Sequence, residues 1–249
     1  MFKNERQREI YDILNTQGFV TVKTLSEQLY TSESSIRRDL SDMESMGLVK
    51  RSYGGASIIT SHTSVLPFQM RSYNAVEEKR QIAAKASELI KEGDIIFLDQ
   101  SSTSYFLALT LLNYNSLTVI TNNIEILSVL SHTQNTVLST GGMISKRNTN
   151  CLIGNNAQKA FEGVYADLAF FSAKALSADG IISDCTQEET FVRNAMLKNA
   201  TKRVFLCDST KMNTHSAYVQ CTLADIDVLI SDSEQADQYK KEYPNLTVI

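Results

Sequence analysis

Three hydroxyl groups follow a short apolar segment at Ser101, Ser102 and Thr103, with Asp99 two residues before the first of them. The apolar residues 95–98 predict a buried strand, and the segment after Thr103 has the apolar spacing of a helix. A loop that leads from a strand into a helix presents free backbone N–H groups and the positive end of the helix dipole. Such a loop binds anions, phosphate in particular. The same residues also suit ordinary helix capping, so the loop alone leaves both interpretations open.

Polar or small residues stand at the ends of several other apolar segments. In a parallel α/β sheet, ligands bind beyond the carboxyl ends of the strands. Glycine pairs allow close approach of the backbone, Thr and Asn side chains supply donors and acceptors, and lysines supply positive charge for a phosphate. Each lysine taken singly is more often a solvated surface residue. Together with the loop at 99–103, these positions predict a site for a phosphorylated small molecule, and its further residues are Thr121, Asn122, Gly141, Gly142, Lys174 and Lys211.

The elements that must position these residues are strands and helices in alternation. Short apolar segments alternate with helical patterns from residue 76 onward, which predicts an α/β domain with a mainly parallel sheet. No G-x-x-x-x-G-K motif occurs, and no G-x-G-x-x-G follows a strand, so a nucleotide-binding loop is not predicted. The predicted strands lie near 95–98, 117–121, 137–138, 168–171, 204–207 and 228–230.

A second candidate site is a helix that begins after Ser32 and ends at Gly47. Serine is a good N-cap, and glycine is the residue that most often ends a helix. Ile36, Leu40 and Met43 fall on one face of this helix at i, i+4 and i+7. The spacing therefore predicts an amphipathic helix with an apolar back.

The front of this helix carries Ser34 and Arg38, and Arg37 flanks them. Arginine bonds guanine edges or phosphates, and serine bonds either, so a helix of this kind fits the DNA major groove. A capped amphipathic helix with two arginines is also common on solvated surfaces. The neighbouring segments favour the DNA interpretation, because an ordered set of helices and a hairpin surrounds it.

Residues 21–29 predict a shorter helix, and only Tyr30 and Thr31 separate it from Ser32. Two helices joined by so short a turn form a helix-turn-helix unit. The segment 48–55 after them predicts a hairpin, or wing, with cations that can reach phosphate. The predicted contacts with a double-stranded DNA operator are Ser32, Ser34, Ser35, Arg37, Arg38, Lys50, Arg51 and Tyr53.

Several blocks of the sequence resemble the DeoR family of bacterial transcription regulators. IRRDL at 36–40, Glu44-x-x-Gly47 and Arg51-x-x-Gly-Gly-Ala resemble the N-terminal domain of that family. DQSST, VITNN, STGG, DLAFFSAKAL, DGIISD and DSTK resemble its sensor domain in the same order, so that the resemblance covers residues 3–232. The helix start Glu188-Glu189 matches a further block, and it adds Glu188 to the predicted effector site.

The resemblance implies a fold and a function. The fold is a small winged helix-turn-helix domain followed by a mainly parallel α/β sensor domain similar to ribose-5-phosphate isomerase. The function is a repressor of a carbohydrate-metabolism operon whose DNA affinity is controlled by a phosphorylated sugar or related metabolite. This chain has Tyr53 where the family usually has His, and Ser101 where many members have Gly. Both departures lie at predicted contacts.

An enzyme of the sugar-phosphate isomerase type, tethered to a DNA-binding domain, is the alternative. Isomerisation requires a general base beside a carbon acid. Asp99, Glu188 or Glu189 could act as that base, and Lys211 could stabilise an enediolate. Because no pair of residues in the sequence is marked as a poised acid and base, the repressor is the favoured interpretation.

Composition narrows the class of protein. The 249 residues are 43% hydrophobic and carry a net charge of −4, which is ordinary for a soluble globular protein. No apolar run approaches the roughly 18 residues of a membrane span. The four cysteines show no C-x-x-C spacing. We therefore expect a reduced, cytoplasmic protein with no disulfide, metal or cofactor.

Three segments are predicted: a winged helix-turn-helix domain at 1–56, an extended linker at 57–75, and an effector-sensing and oligomerisation domain at 76–249. The first 55 residues contain 8 Lys and Arg against 8 Asp and Glu, so DNA binding must depend on where the cations lie. A single winged helix-turn-helix domain makes few base contacts, and binding to paired half-sites supplies the remaining contacts that specific affinity needs. The chain is therefore predicted to form a dimer or tetramer.

Overall fold

The structure is a computed structural model that describes residues 3–59 and 65–249. Residues 1 and 2 of the predicted first domain, and 60–64 of the predicted linker, lie outside the described residues. The chain divides into two compact units, Met1–Arg71 and Ser72–Ile249. The boundary between the units falls inside the segment predicted as linker.

The first unit contains three helices, a small antiparallel sheet and the start of a short fourth helix, which ends two residues beyond Arg71. The sheet has the order β1-β3-β2, in which Phe19 pairs with Ser57 and Lys50 also pairs with Ser57 from the other side. Strand β1 precedes the first helix of the predicted helix-turn-helix and was not expected from the sequence. In chain order the elements are α1 (Lys3–Gln17), β1 (Phe19–Thr21), α2 (Val22–Gln28), α3 (Glu33–Ser45), β2 (Val49–Ser52), β3 (Gly55–Ile58) and α4 (Phe68–Tyr73).

The linker prediction was wrong in one respect. We expected extended chain throughout 57–75, but strand β3 continues to Ile58 and α4 occupies part of the remainder. The reason is packing, because Leu66 and Met70 lie against the apolar core of the first unit. A single turn and a half of helix is too short to show a stripe in the sequence.

The second unit is an α/β domain, as predicted. Its elements include four short 3-10 turns besides the helices and strands. In chain order the helices and strands are α5 (Val76–Ser87), β4 (Ile95–Leu98), α6 (Ser102–Thr110), β5 (Thr118–Thr121), α7 (Ile124–Leu130), β6 (Thr136–Ser139), β7 (Met143–Ile144), β8 (Leu152–Ile153), α8 (Asn155–Glu162), β9 (Ala166–Phe171), β10 (Ala175–Leu176), β11 (Ile181–Asp184), α9 (Gln187–Lys198), β12 (Ala200–Cys207), β13 (Tyr218–Thr222), β14 (Val228–Ser231), α10 (Tyr239–Glu242) and β15 (Thr247–Val248).

Seven parallel strands form the main sheet in the order β15-β14-β12-β9-β4-β5-β6. Successive side chains of a strand point to opposite faces, and both faces are covered. Phe97 belongs to a core cluster that includes residues of α8, α9 and α10. Its neighbours Ile96 and Leu98 belong to a second cluster with α5, α6 and α7. All six predicted strands lie in this sheet.

Two smaller sheets complete the unit. Strands β10, β11 and β13 form an antiparallel sheet, and β7 pairs with β8 as an antiparallel hairpin. Neither sheet was predicted. Because β4 is flanked by β9 and β5, the loops after these central strands meet at one edge of the main sheet.

Candidate DNA-binding surface and effector site

Helix α3 is capped and packed as its sequence predicts. The Ser32 hydroxyl accepts the Ser35 N–H at 3.3 Å. Ile36, Leu40 and Met43 are fully buried in the core of the first unit. One face of helix α3 is therefore apolar and packed in the core of the first unit.

The front of α3 is exposed. Ser34, Arg37 and Arg38 all face solvent. The Arg37 guanidinium is paired with Glu33 at 2.9 Å, whereas Arg38 makes no ion pair with any residue that the structure describes. Arg38 is thus the cation on this face that is available to a partner without first breaking an ion pair.

Asp39 lies on the back of α3 and was not singled out from the sequence. It is buried, and both of its carboxylate oxygens accept hydrogen bonds from Arg6 of α1. That hydrogen bond and the Asp39 charge raise the pKa of Arg6 against the smaller effect of burial. The signal in the sequence was its position, three residues after Ile36 and next to Leu40. Asp39 therefore joins α3 to α1 and does not belong to the DNA-binding front.

The wing is tied to the C-terminus of α3. Gly47 has a φ of +71°, and the Leu48 N–H donates to the Met43 carbonyl at 3.0 Å, which ends the helix in the left-handed manner that favours glycine. The Glu44 side chain accepts the Arg51 N–H at 2.8 Å. An open groove of about 260 Å³ runs between α3 and the wing, lined by Val22, Arg37, Leu40, Glu44, Arg51, Ser52, Gly54 and Gly55.

The predicted wing residues Lys50, Arg51 and Tyr53 are all exposed. Arg51 also approaches Glu44 at 3.8 Å through its guanidinium. A further exposed aromatic was missed: Tyr30, in the turn before α3, is 96% exposed and has a φ of +49°. Exposure cannot be inferred for a single turn residue, which explains the omission.

Asp99 follows β4 and is buried, with four hydrogen-bond donors around it. Its Oδ1 accepts the Ser101 N–H at 3.1 Å and the Ser104 hydroxyl at 2.6 Å. Its Oδ2 accepts the Ser172 N–H and the Arg193 Nε–H, each at 3.2 Å. Asp99 is therefore occupied by the protein itself and holds the loop after β4 in place.

The hydroxyl groups of this loop do not all have the same role. Ser101 caps α6, because its hydroxyl accepts the Ser104 N–H at 3.0 Å. Ser102 and Thr103 are buried in the first turn of α6. The capping interpretation thus holds for Ser101, and it leaves the anion-binding interpretation open for the other two.

Lys211 reaches the same loop from the far side of β9. Its ammonium donates to the Ser172 hydroxyl at 2.7 Å and to the Thr103 hydroxyl at 3.4 Å, and it pairs with Asp208 at 3.0 Å. Burial alone would raise the pKa of Asp208, but the charge of Lys211 and a hydrogen bond from Thr210 lower it overall. A charged lysine therefore stands at the N-terminus of α6.

The other predicted effector residues separate into buried and exposed groups. Thr121 and Asn122 are buried at the end of β5. Lys174 and Glu188 are exposed, and no hydrogen bond or ion pair joins either to another described residue. The structure thus brings Asp99, Ser101, Ser102, Thr103, Thr121, Asn122 and Lys211 to one region and does not attach Lys174 or Glu188 to it.

The glycine pair after β6 has a packing explanation. Gly142 has a φ of +109°, and a Cβ there would lie 2.5 Å from the Ile153 carbonyl oxygen. Gly141 has a φ of +62° and open space around it. At Gly142 the backbone therefore does approach a neighbour closely, and that neighbour is strand β8 of the same chain.

Arg193 of α9 is the main residue that sequence reasoning missed, and Glu189 of the same helix was considered only as a general base and not as part of the effector site. Arg193 is fully buried, contacts Asp184 at 3.0 Å and donates to Gln220 at 2.8 Å. Burial alone would lower the pKa of Arg193, but Asp184 and Asp99 raise it overall, so the guanidinium stays charged. Glu189, and not its exposed neighbour Glu188, points into the buried region. The signal was helical spacing, since Glu189, Arg193 and Met196 share one face.

Comparisons with known proteins give a separate match for each of the two units. Residues 6–62 match the family model described as the DeoR-like helix-turn-helix domain, and residues 74–233 match the DeoR C terminal sensor domain. The chain belongs to the DeoR family. The family assignment made from the sequence blocks is therefore confirmed, and this DeoR-family chain is a DNA-binding regulator with a sensor domain for a small molecule.

Curated relatives cover nearly the whole DeoR-family chain. The HTH-type transcriptional regulator GolR of Listeria innocua is 36% identical and covers 94% of this chain and 92% of its own length. The lactose phosphotransferase system repressor of Lactococcus lactis is 30% identical, with coverage of 100% and 98%. These relatives are named as regulators and not as enzymes. Ribose 5-phosphate isomerase A from Methanocaldococcus jannaschii is a distant structural likeness at 17% identity, with coverage of 54% and 53% and a TM-score of 0.40.

Two features are absent from the described residues. No helix among residues 3–59 and 65–249 is both long and apolar enough to cross a membrane. In the same residues, no group of three or more His, Cys, Asp or Glu side chains is placed to hold a metal ion. None of the four cysteines forms a disulfide with another described residue. Burial together with the Asp184 charge raises the pKa of Cys185 to about 11.

Proposed function

We propose that this DeoR-family chain represses a carbohydrate-metabolism operon and is released from its operator by a phosphorylated sugar or related metabolite. The observation that carries the proposal is the placement of the Lys211 ammonium, 3.4 Å from the Thr103 hydroxyl at the N-terminus of α6. A fixed positive charge at a helix N-terminus suits a phosphate dianion.

At the DNA, Arg38 and Ser34 read base edges in the major groove. Both are exposed on the front of α3, and Arg38 has no competing ion pair among the described residues. The residues proposed to contact the phosphate backbone are Ser32, Ser35, Arg37, Lys50, Arg51 and Tyr53. Arg37 must exchange Glu33 for a phosphate, so its contribution is smaller than that of Arg38.

At the sensor, the phosphate binds the N–H groups of Ser102 and Thr103 together with Lys211. Asp99 positions this loop, because four donors already surround its carboxylate. Ser101 acts as the cap of α6. The carbon backbone of the effector extends toward Thr121 and Asn122 at the end of β5. Gly141, Gly142, Lys174 and Glu188 complete the proposed effector site at its outer side.

The proposal includes assembly and location. The chain acts in the cytoplasm as a dimer or tetramer, because one winged helix-turn-helix domain supplies too few contacts for the affinity of a specific regulator. Segment 1–56 reads DNA, 57–75 connects, and 76–249 senses and assembles. An isomerase function has no support of its own, since the relatives are named as regulators and Asp99, one of its three candidate bases, is surrounded by four donors.

The test is DNA binding of the full-length protein by fluorescence anisotropy, with duplexes from the intergenic region upstream of its own gene. Arg38→Ala is expected to lose about 1–3 kcal/mol on the specific duplex and little on random DNA. Lys211→Ala is expected to bind the operator as the wild type does, yet to need at least about tenfold more sugar phosphate for release. Lys202→Ala, an exposed lysine on β12, is the matched control.

Two results would refute the parts separately. If no duplex from that region is bound selectively over random DNA, the regulator does not act at that operator. If Lys211→Ala is released at the same concentration as the wild type, the phosphate does not bind at α6. Linkage supplies an internal check, because the operator must weaken effector binding by the same factor by which the effector weakens operator binding.

A further inference from the structure

Four buried side chains, one of them from the loop at 99–103, form one continuous chain of hydrogen bonds. Asn122 Nδ2 donates to Gln100 Oε1 at 3.3 Å, and Gln100 Nε2 donates to Glu189 Oε2 at 2.9 Å. On the other side of the carboxylate, Asn148 Nδ2 donates to Glu189 Oε1 at 3.2 Å. Each of the four residues is at most 5% exposed. They come from the ends of β4 and β5, the start of α9 and the loop between β7 and β8.

The direction of every amide in this chain is fixed by its neighbours. A carboxylate and a backbone carbonyl can only accept hydrogen bonds. Glu189 therefore requires the NH₂ groups of Gln100 and Asn148, and the Leu152 carbonyl, 3.1 Å away, requires the NH₂ group of Asn122. Flipping any of these amides would place two acceptors against each other.

As a consequence, the chain ends on two carbonyl oxygens. Asn122 Oδ1 and Asn148 Oδ1 are both buried and have no hydrogen-bond partner among the described residues. A buried acceptor without a donor costs about 1–3 kcal/mol, so groups of this kind are paired in a functional state. Both ends of the chain thus require a donor from outside the protein.

The backbone holds the two oxygens in place. The Leu152 N–H donates to the Asn122 carbonyl at 2.8 Å, and the Ile124 N–H donates to the Asn150 carbonyl at 3.0 Å. The Ser145 hydroxyl accepts the Asn148 N–H at 3.2 Å. The loop 145–150 is therefore docked on the end of β5 and presents Asn148 from a fixed position, as a selective site requires.

We propose that Asn122 and Asn148 bind hydroxyl groups on the carbon backbone of the effector, with Gln100 and Glu189 as positioning residues. This inference rests on the proposed function, and it divides the effector between two subsites. A phosphate dianion offers only acceptors, so it suits Lys211 and the N–H groups of α6 and not these oxygens. Hydroxyl groups donate, so the polyol part of a sugar phosphate matches the Asn122–Asn148 chain. The identity of the sugar is then read here and not at the phosphate.

Isothermal titration of the full-length protein separates the two subsites. The probes are inorganic phosphate, glycerol 3-phosphate, ribose 5-phosphate, glucose 6-phosphate and fructose 6-phosphate, with glucosamine 6-phosphate to distinguish an amine donor from a hydroxyl donor. Asn148→Ala is expected to bind inorganic phosphate within about twofold of the wild type, and to bind the best sugar phosphate about fivefold to tenfold more weakly, as the loss of one hydrogen bond requires. Thr149→Ala, exposed in the same loop, is the matched control and is expected to change neither.

A second measurement uses the wild type alone and covers the case in which Asn148→Ala does not fold. The deoxy analogues of the best sugar phosphate are titrated one position at a time, and removal of at least one hydroxyl is expected to weaken binding about tenfold.

Sugar-phosphate binding by Asn148→Ala at wild-type affinity would overturn the inference and leave the proposed function standing. Equal loss of phosphate and sugar phosphate in that variant, or indifference of the wild type to every deoxy analogue, would overturn it as well. Tighter binding of glucosamine 6-phosphate than of glucose 6-phosphate would show that the donor is an amine, and it would overturn the assignment of a hydroxyl group. A wild type that binds none of the probes would remove the proposed function together with the inference.

Discussion

The exposed front of α3 differs from the buried polar residues beyond the C-terminal end of β4, here called the region behind β4. The difference is how many of their polar groups already have a partner within the protein. On α3, Ser34 and Arg38 are exposed, and Arg38 makes no ion pair with a described residue. Behind β4, Asp99 accepts four hydrogen bonds and Arg193 contacts three polar side chains. A polyanion such as DNA needs cations that are free to meet it. A small ligand needs groups that are already fixed, because fixing them on binding would cost affinity.

The largest effect should come from removing the centre of the buried region. Arg193→Met would leave the Asp99 and Asp184 carboxylates without their cation, and breaking a buried ion pair in this way costs about 3–5 kcal/mol. Urea unfolding of the full-length protein, followed by circular dichroism, measures the loss. DNA binding by α3 should persist wherever the protein is folded.

The matched control for this change is Arg203→Met. Arg203 pairs with Asp227 at 2.9 Å, but the two side chains are 37% and 36% exposed. Solvent screens such a pair, so its loss should cost less than about 1 kcal/mol. Equal losses for the two variants would show that the region behind β4 is no more dependent on its internal pairing than the surface is.

A second change tests whether the interior of the first unit is as sensitive to substitution as the region behind β4. A Cβ on Gly55 would lie 2.4 Å from the Val20 carbonyl oxygen and 2.6 Å from the Phe19 ring. Because one of these neighbours is backbone, strand β1 would have to move, and Gly55→Ala should cost about 1–3 kcal/mol. Gly163→Ala is the control, since its nearest neighbour would lie at an ordinary 3.7 Å. Thermal unfolding distinguishes them, and equal stability of both variants would contradict the prediction.

The comparison also explains what the sequence could predict. The front of α3 follows from helical periodicity alone, since Ile36 and Leu40 determine which side is buried and therefore which side carries Arg38. The strand-end loops followed from the rule for parallel sheets, and in the structure Lys211 lies next to Thr103. Both inferences use local spacing or one general property of the fold.

What the sequence could not show depends on strand order and on the exact direction of side chains. Glu189 meets Gln100 only because the start of α9 lies at the ends of β4 and β5. Its neighbour Glu188, with the same side chain, is exposed, and a shift of one residue on a helix turns the side chain by about 100°. Asn148 lies on a loop whose position depends on the unpredicted β7–β8 hairpin. These contacts are long-range, so no local pattern contains them.

A smaller effect should appear in the pH dependence of the second unit. Lys211 holds the pKa of Asp208 below its ordinary value in the folded state, despite the opposing effect of burial. A carboxyl group with a lowered folded pKa contributes stability that is present above its unfolded pKa, about 3.9, and is lost as the pH falls through the folded value. In Asp208→Asn, the free energy of unfolding should therefore fall less steeply than in the wild type as the pH drops below about 4. An unchanged steepness, measured by urea unfolding at several pH values, would show that the Lys211–Asp208 pair is not formed in solution.

The smallest expected effect concerns Tyr30, in the turn that leads into α3. Its φ of +49° costs a residue with a Cβ about 1–2 kcal/mol, and at 96% exposure the ring recovers little by packing. Glycine would relieve that strain, but it loses about 0.5–1 kcal/mol more through its freer unfolded chain. Tyr30→Gly should thus stabilise the first unit by less than about 1 kcal/mol, seen as a small rise in its thermal midpoint, whereas a fall would mean that the ring makes a packing contact in solution. Weaker operator binding by a variant with unchanged or higher stability would place Tyr30 on the same DNA-facing surface as Arg38, where an exposed aromatic serves the partner and not the fold.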